Sequence, residues 1–183
     1  MTCEASSDTR SHVLDPEGLP DHIDRLYRAA YALCGSRQDA EDLVQDTYAR
    51  VLRRPRIVHG DADIYYLLRA LRNTFLSQRR AAARRPRAAD VALEELALPD
   101  RSGSADPPSA TEAREVFAVI AALPDDYRDA LVAVDVAGLS YGEAAKLLGT
   151  REGTITSRLY RARGKVAEAM GAQPPVCHRV ADG

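Results

Sequence analysis

The residues with most to offer chemically lie between Leu139 and Met170, and they offer recognition rather than catalysis. Arg151, Thr154, Arg158, Arg161 and Lys165 recur every three or four positions, with Thr156 and Ser157 beside them. On a helix that spacing gathers cations and hydroxyls on one side, while Ile155, Leu159, Ala162, Val166 and Met170 gather on the other. Such a helix can enter a major groove. There an arginine presents two donors to guanine O6 and N7, and the hydroxyls meet bases or phosphates. The element that must position it is also legible. Ser140 and Glu143 have capping-box spacing, Ala144, Ala145, Leu147 and Leu148 follow, Gly149 leaves the helix, and Thr150 can cap the next one. Two helices with small residues at their crossing and a short turn make a helix-turn-helix. The competing account of the same residues is a helical core with a solvated basic face.

A second constellation occupies residues 64–80. Tyr65, Tyr66, Arg69, Arg72, Asn73, Arg79 and Arg80 mix rings, guanidinium groups and an amide. These are the ingredients for holding an unstacked single strand: rings stack, arginines hold phosphates, amides read base edges. For one of the two tyrosines a place in the core is the simpler account. A third cluster, Asp39, Glu41, Asp42, Gln45 and Asp46, lines the polar side of a helix and fits either a solvated face or a partner-binding one.

No catalytic or metal site emerges. His12, His22, His59 and His178 share no motif spacing, Cys177-His178 stands alone near the C-terminus, and there is no glycine-rich phosphate loop. No cofactor is expected. Three scattered cysteines (Cys3, Cys34, Cys177) point to a reducing cytoplasm, with Cys34 a small apolar residue at a helix end. Residues 1–20 lack the basic start and apolar centre of a signal peptide, and no apolar run is long enough to insert in a membrane.

The net charge of −2 conceals segregation. Residues 64–89 carry seven arginines and no acid, residues 88–148 carry 12 acidic against 4 basic residues, and residues 149–170 carry 5 basic against 2 acidic. Two positive segments flank a negative one, which suits a chain meeting phosphates at two places.

The surrounding pattern is all-α, because good helix formers dominate and no stretch alternates convincingly as a strand. Helices are expected at Ile23–Cys34, ended by Gly35; from Ser36 as cap to Arg54; from near Asp61 into the arginine cluster; and over Glu112–Leu123 and Asp125–Ala137, broken by Pro124. The stretch Pro99–Ser109 has almost nothing to bury, and residues 90–98 offer at best a short helix. The resulting plan is a disordered arm (1–20), a first helical domain (21–97), a flexible linker (98–111), a second domain containing the helix-turn-helix (112–170) and a flexible tail (171–183).

Three phrases carry a family resemblance. Asp39-Ala-Glu-Asp-Leu-Val-Gln-Asp-Thr-Tyr48, together with Gly138-Leu-Ser-Tyr-Gly-Glu-Ala-Ala-Lys-Leu-Leu-Gly149 and Glu152-Gly-Thr-Ile-Thr-Ser-Arg-Leu-Tyr-Arg-Ala-Arg163, resembles the bacterial extracytoplasmic-function (ECF) alternative sigma factors. The resemblance spans about residues 20–87 and 112–170. It implies a sigma-2 and a sigma-4 domain, with the Asp39–Asp46 face on the beta-prime clamp helices of core RNA polymerase and the second domain near the beta flap. It further implies promoter DNA read at the minus-10 element by Arg69, Arg72, Asn73, Arg79 and Arg80. Arg151, Thr154, Ser157, Arg158 and Arg161 would read the minus-35 element. An anti-sigma factor would be the regulatory partner. The chain departs from the family pattern in having no tryptophan, with Tyr66-Leu-Leu-Arg-Ala-Leu-Arg-Asn73 where WLFxIARN is usual. It also has Ser77 in place of the acid of Asp-x-x-Arg-Arg, Ala81 at that motif's second basic position, and Thr156 where lysine is common. The other functions open to these residues are a stand-alone helix-turn-helix regulator and a protein-interaction module that binds no DNA. Neither requires both an acidic second helix and a long linker.

Overall fold

The structure, a computed structural model, describes residues 11–13, 19–53, 57–59, 63–84 and 108–172. A 3-10 turn (Leu19–His22) leads into α1 (Ile23–Cys34), and α2 (Arg37–Arg53) and α3 (Asp63–Arg84) complete the first unit. The second is built from α4 (Pro108–Ala121), α5 (Asp125–Leu131) running into a π-helical turn (Val132–Val136), α6 (Tyr141–Leu148) and α7 (Glu152–Ala169).

Local chemistry sets most of these boundaries. Gly35 ends α1 at φ +78, the left-handed conformation glycine adopts without a Cβ penalty, and its N–H reaches the Tyr31 carbonyl. Ser36 then caps α2: its hydroxyl oxygen accepts from the Asp39 N–H at 3.2 Å. Leu26, Leu43, Leu67 and Leu71 from α1, α2 and α3 are at most 1% exposed, each contributing about 1.5–3 kcal/mol through burial. Ile155 and Leu159 of α7 do the same for the second unit. The apolar stripes stop short of helix ends: Ile23, Leu52 and Met170, each in a first or last turn or at a cap, are 37–47% exposed.

Three expectations need correction. Residues 11–13 are a strand, β1 (Ser11–Val13), paired antiparallel with β2 (Ile57–His59) across the α2–α3 connection. Part of the arm is therefore tied down, by three-residue strands too short to show alternation. α3, expected from near Asp61, opens at Asp63. α4 begins at Pro108, inside the expected linker; proline suits a first helical position, where its missing N–H costs nothing. The Asp125–Ala137 helix widens in its last turn, where the Ala137 N–H bonds five residues back to Val132 O at 2.8 Å. Crowding by Val132, Val134 and Val136 accompanies this, and the Arg25 guanidinium of α1 takes the Ala137 carbonyl. The short helix considered for 90–98 lies outside the described residues.

The two units pack on each other, α1 lying against α4 and the π-helical turn. Tyr31 meets Phe117 edge-on at 5.1 Å between ring centroids. Gly35 sits where a Cβ would come within 2.9 Å of the Ala121 Cβ, so the close approach there also depends on glycine.

Candidate nucleic-acid interface

The helix-turn-helix is built as its sequence requires. The Ser140 hydroxyl accepts from the Glu143 N–H at 3.3 Å, while the Glu143 carboxylate accepts from the Ser140 N–H at 2.8 Å and from its hydroxyl at 2.6 Å. These bonds hold the Glu143 carboxyl below its usual range, the Ser140 hydroxyl contributing most. Ala144 and Ala145 are buried, and Gly149 turns the chain at φ +65. Thr150 does not cap α7. Arg151 occupies the cap position with an extended backbone and no side-chain cap bond, and its carbonyl accepts from Thr154 and Ile155. Glu152 in the first turn then faces the positive end of the helix dipole.

Along α7 the buried line is Ile155, Leu159 and Ala162. At about 100° per residue, Arg151, Thr154, Ser157, Arg158, Arg161 and Lys165 occupy a separate sector. Arg151, Ser157, Arg161 and Lys165 are exposed, Thr154 and Arg158 half-buried. Thr156 does not join them: it lies across the helix, its hydroxyl donating to Glu152 O at 3.1 Å. Two of the cations are held by α5, Arg158 by Asp126 at 2.9 Å and Arg161 by the Tyr127 hydroxyl at 3.3 Å. Arg163 points elsewhere and is structural, forking onto both Asp135 oxygens at 2.9 and 2.7 Å.

On α3, Tyr65, Tyr66, Arg69, Arg72, Asn73, Arg79 and Arg80 share one side, an arc of about 140°. Arg69, Asn73, Arg79 and Arg80 are exposed. Both tyrosines are half-buried against the core, so neither is purely a core residue nor a free stacking platform. Arg72 and Arg79 face the second unit. Arg72 pairs with Asp129 at 2.8 Å and Arg79 with Asp125 at 2.7 Å.

The acidic helix keeps its five expected members on the side away from its buried line, within an arc of about 160°. Asp39, Asp42, Gln45 and Asp46 are exposed on one side of α2, and Asp46 accepts from Gln78 of α3 at 2.9 Å. Glu41, half-buried and one turn before Gln45, flanks the same side and pairs with Arg37 at 2.9 Å. Asp39 and Asp42 border a cleft of about 540 Å³ whose other walls include Arg79 and Arg128. Cys34 also lines this cleft; burial pushes its thiol up to about 11, which leaves it protonated and unreactive at neutral pH. Among the described residues, no three His, Cys, Asp or Glu side chains converge as metal ligands, and no helix is long and apolar enough to cross a membrane.

Comparison with known proteins agrees with this arrangement domain by domain. The sigma-70 region 2 family matches residues 21–85 and the sigma-70 region 4 family residues 113–166. The chain is 34% identical to the ECF RNA polymerase sigma factor EcfG of Rhodopseudomonas palustris, with 79% of this chain and 78% of that protein covered. The chain belongs to the ECF sigma factors. It is also 34% identical to the ECF RNA polymerase sigma factor SigE of Mycolicibacterium smegmatis, over 83% of this chain, and spans 60% of that relative's length. Among solved structures, this sigma factor is similar to RpoE of Bartonella quintana, crystallised with the anti-sigma factor NepR. The TM-score is 0.61 and the identity 27%, covering 86% of this chain and 98% of that one. CnrH, solved with the cytosolic domain of CnrY, shares the fold, with a TM-score of 0.57 at 20% identity over 85% of this chain and 86% of that one.

Sequence reasoning missed the acids of α5. Asp125, Asp126 and Asp129 each hold an arginine of one of the two cationic faces. The i, i+1, i+4 spacing was a visible signal, but which arginines they would meet depends on how the units pack.

Proposed function

We propose that this sigma factor gives core RNA polymerase its promoter specificity through three separate faces. The Asp39, Glu41, Asp42, Gln45 and Asp46 side of α2 binds the beta-prime clamp helices, and the second domain sits at the beta flap. The α7 sector with Arg151, Thr154, Ser157, Arg158, Arg161 and Lys165 reads the minus-35 element as duplex in the major groove. The α3 side with Tyr65, Tyr66, Arg69, Arg72, Asn73, Arg79 and Arg80 holds the minus-10 element as a single strand. The observation that carries this reading is the pair of cationic helix sides, one per domain, both backed by buried apolar lines. Each domain alone binds DNA weakly, and tethering both to polymerase raises the effective concentration of each at its element. The sigma factor performs no bond chemistry of its own and acts in the cytoplasm. An anti-sigma factor, as found with the similar RpoE, is its regulatory partner.

The test is reconstitution of the full chain with core polymerase and run-off transcription on genomic DNA. Initiation at a discrete set of sites supports the reading. Duplex binding without polymerase-dependent initiation would favour a stand-alone regulator instead.

A further inference from the structure

We propose that the free chain is latched shut by ion pairs in which carboxylates of α5 occupy arginines that α3 offers to single-stranded DNA. The inference rests on the reading of α3 given above. Arg72 donates from both Nε and a terminal nitrogen to one oxygen of Asp129 at 2.8 Å, and Arg79 donates to Asp125 at 2.7 Å. A guanidinium recognises carboxylate and phosphate oxygens with the same fork of donors, so a carboxylate in that position excludes a phosphate. Around the pairs, the ring of Phe75 of α3 is approached by two guanidinium groups, Arg79 of its own helix at 5.7 Å and Arg128 of α5 at 5.3 Å. Arg128 in turn donates to Asp125 at 2.7 Å, so one carboxylate joins the cations of both units.

These pairs lie beside an apolar seam, in which Tyr31 meets Phe117, and they are themselves incompletely satisfied. Asp129 is 7% exposed, yet its second oxygen has no hydrogen-bond partner, and the same is true of the Arg128 Nε. Buried ion pairs return little net stability after desolvation, and orphaned polar atoms subtract from it. Competing phosphates can therefore release the latch. Closure is also one-sided. Arg151, Arg161 and Lys165 of α7 remain exposed while the α3 arginines are engaged, so the closed chain retains its duplex-binding side.

The experiment uses the full chain without polymerase, with solution X-ray scattering and binding of a fluorescent mixed-sequence single-stranded oligonucleotide. Apparent affinity falls in proportion to the open fraction, so a closed form favoured about tenfold weakens single-strand binding about tenfold. Asp125→Asn with Asp129→Asn is expected to enlarge the radius of gyration and tighten oligonucleotide binding by about that factor. The charge-matched control, Glu115→Gln with Glu168→Gln, is expected to change neither measurement appreciably. A second arm is a charge swap: Arg72→Asp should expand the chain, and adding Asp129→Arg should restore its compactness. The proposal is overturned if the Asn pair leaves the radius unchanged or gains no more affinity than the control. It is equally overturned if the folded swap fails to close again. Failure of the sigma-factor reading registers elsewhere, as absence of polymerase-dependent initiation, while the scattering arms report on the latch alone.

Discussion

Arg158→Ala separates base reading from phosphate holding on α7. Arg158 is a half-buried cation in the middle of the α7 sector, already paired with Asp126 at 2.9 Å, where its own side chain is 24% exposed and that of Asp126 69%. The pair is open to solvent on the acid's side, so its loss changes stability by only about 0.2–1 kcal/mol, and the variant folds. If Arg158 forks onto a base, its removal costs about 1–3 kcal/mol at one base pair, about 5- to 150-fold in affinity there, and flattens preference at that position. Asp126→Asn frees the arginine beforehand and should tighten duplex binding by about fivefold at most, the reciprocal of the pair's worth. Lys165→Ala, further along the helix and exposed, should weaken all duplexes alike and reduce the salt slope by about one. The assay is duplex affinity for each variant on every single-base change of the minus-35 element, at two salt concentrations. Equal loss on all duplexes for Arg158→Ala would refute base reading and leave this arginine as a backbone clamp.

Reversing Asp42 and Asp46 to lysine should abolish binding to core polymerase in gel filtration, with helicity unchanged. Asp46 gives up only an exposed bond from Gln78, at about 1 kcal/mol or less. Retained polymerase binding would remove α2 from the account. Ser140→Ala should lower stability by about 1 kcal/mol in a denaturant titration, because the cap bond from the Glu143 N–H and the hydroxyl's bond to the Glu143 carboxylate go together. The Glu143 carboxyl is lowered in the fold, so its contribution is present above the ordinary carboxylate range and lost as pH falls through the folded value. The Ser140→Ala deficit should accordingly shrink between pH 7 and strongly acidic solution, and a deficit independent of pH would contradict this. Leu159→Ala, at a position 1% exposed, should cost about 2–5 kcal/mol; a loss under about 1 kcal/mol would mean that α7 does not pack as described.

What was legible in the sequence was local or periodic. The Ser140–Glu143 box, the Gly35 and Gly149 exits, and the apolar lines of α1, α3 and α7 follow from spacing alone. The errors have equally physical origins. Thr156 stands beside Ser157 in sequence, yet the 100° step between neighbouring helical residues separates it from the α7 sector. The β1–β2 ladder joins residues 11–13 to 57–59, a pairing three residues long and 46 apart, which no window along the chain can detect. The acids of α5 were visible as acids, but their partners Arg72 and Arg79 are 57 and 46 residues away. Which charges meet is settled by the packing of α1 on α4, not by any pattern within one segment.

The division of labour between the two cationic faces is tested most directly by permanganate and nuclease footprinting of the polymerase complex on a promoter it initiates from. The account predicts duplex protection upstream and reactive, unpaired thymines downstream. Arg158→Ala should erase the first, while Arg69→Ala with Arg80→Ala should erase strand opening and leave the upstream protection in place. Loss of both signals together in either variant, or no strand opening by the wild-type chain, would contradict it.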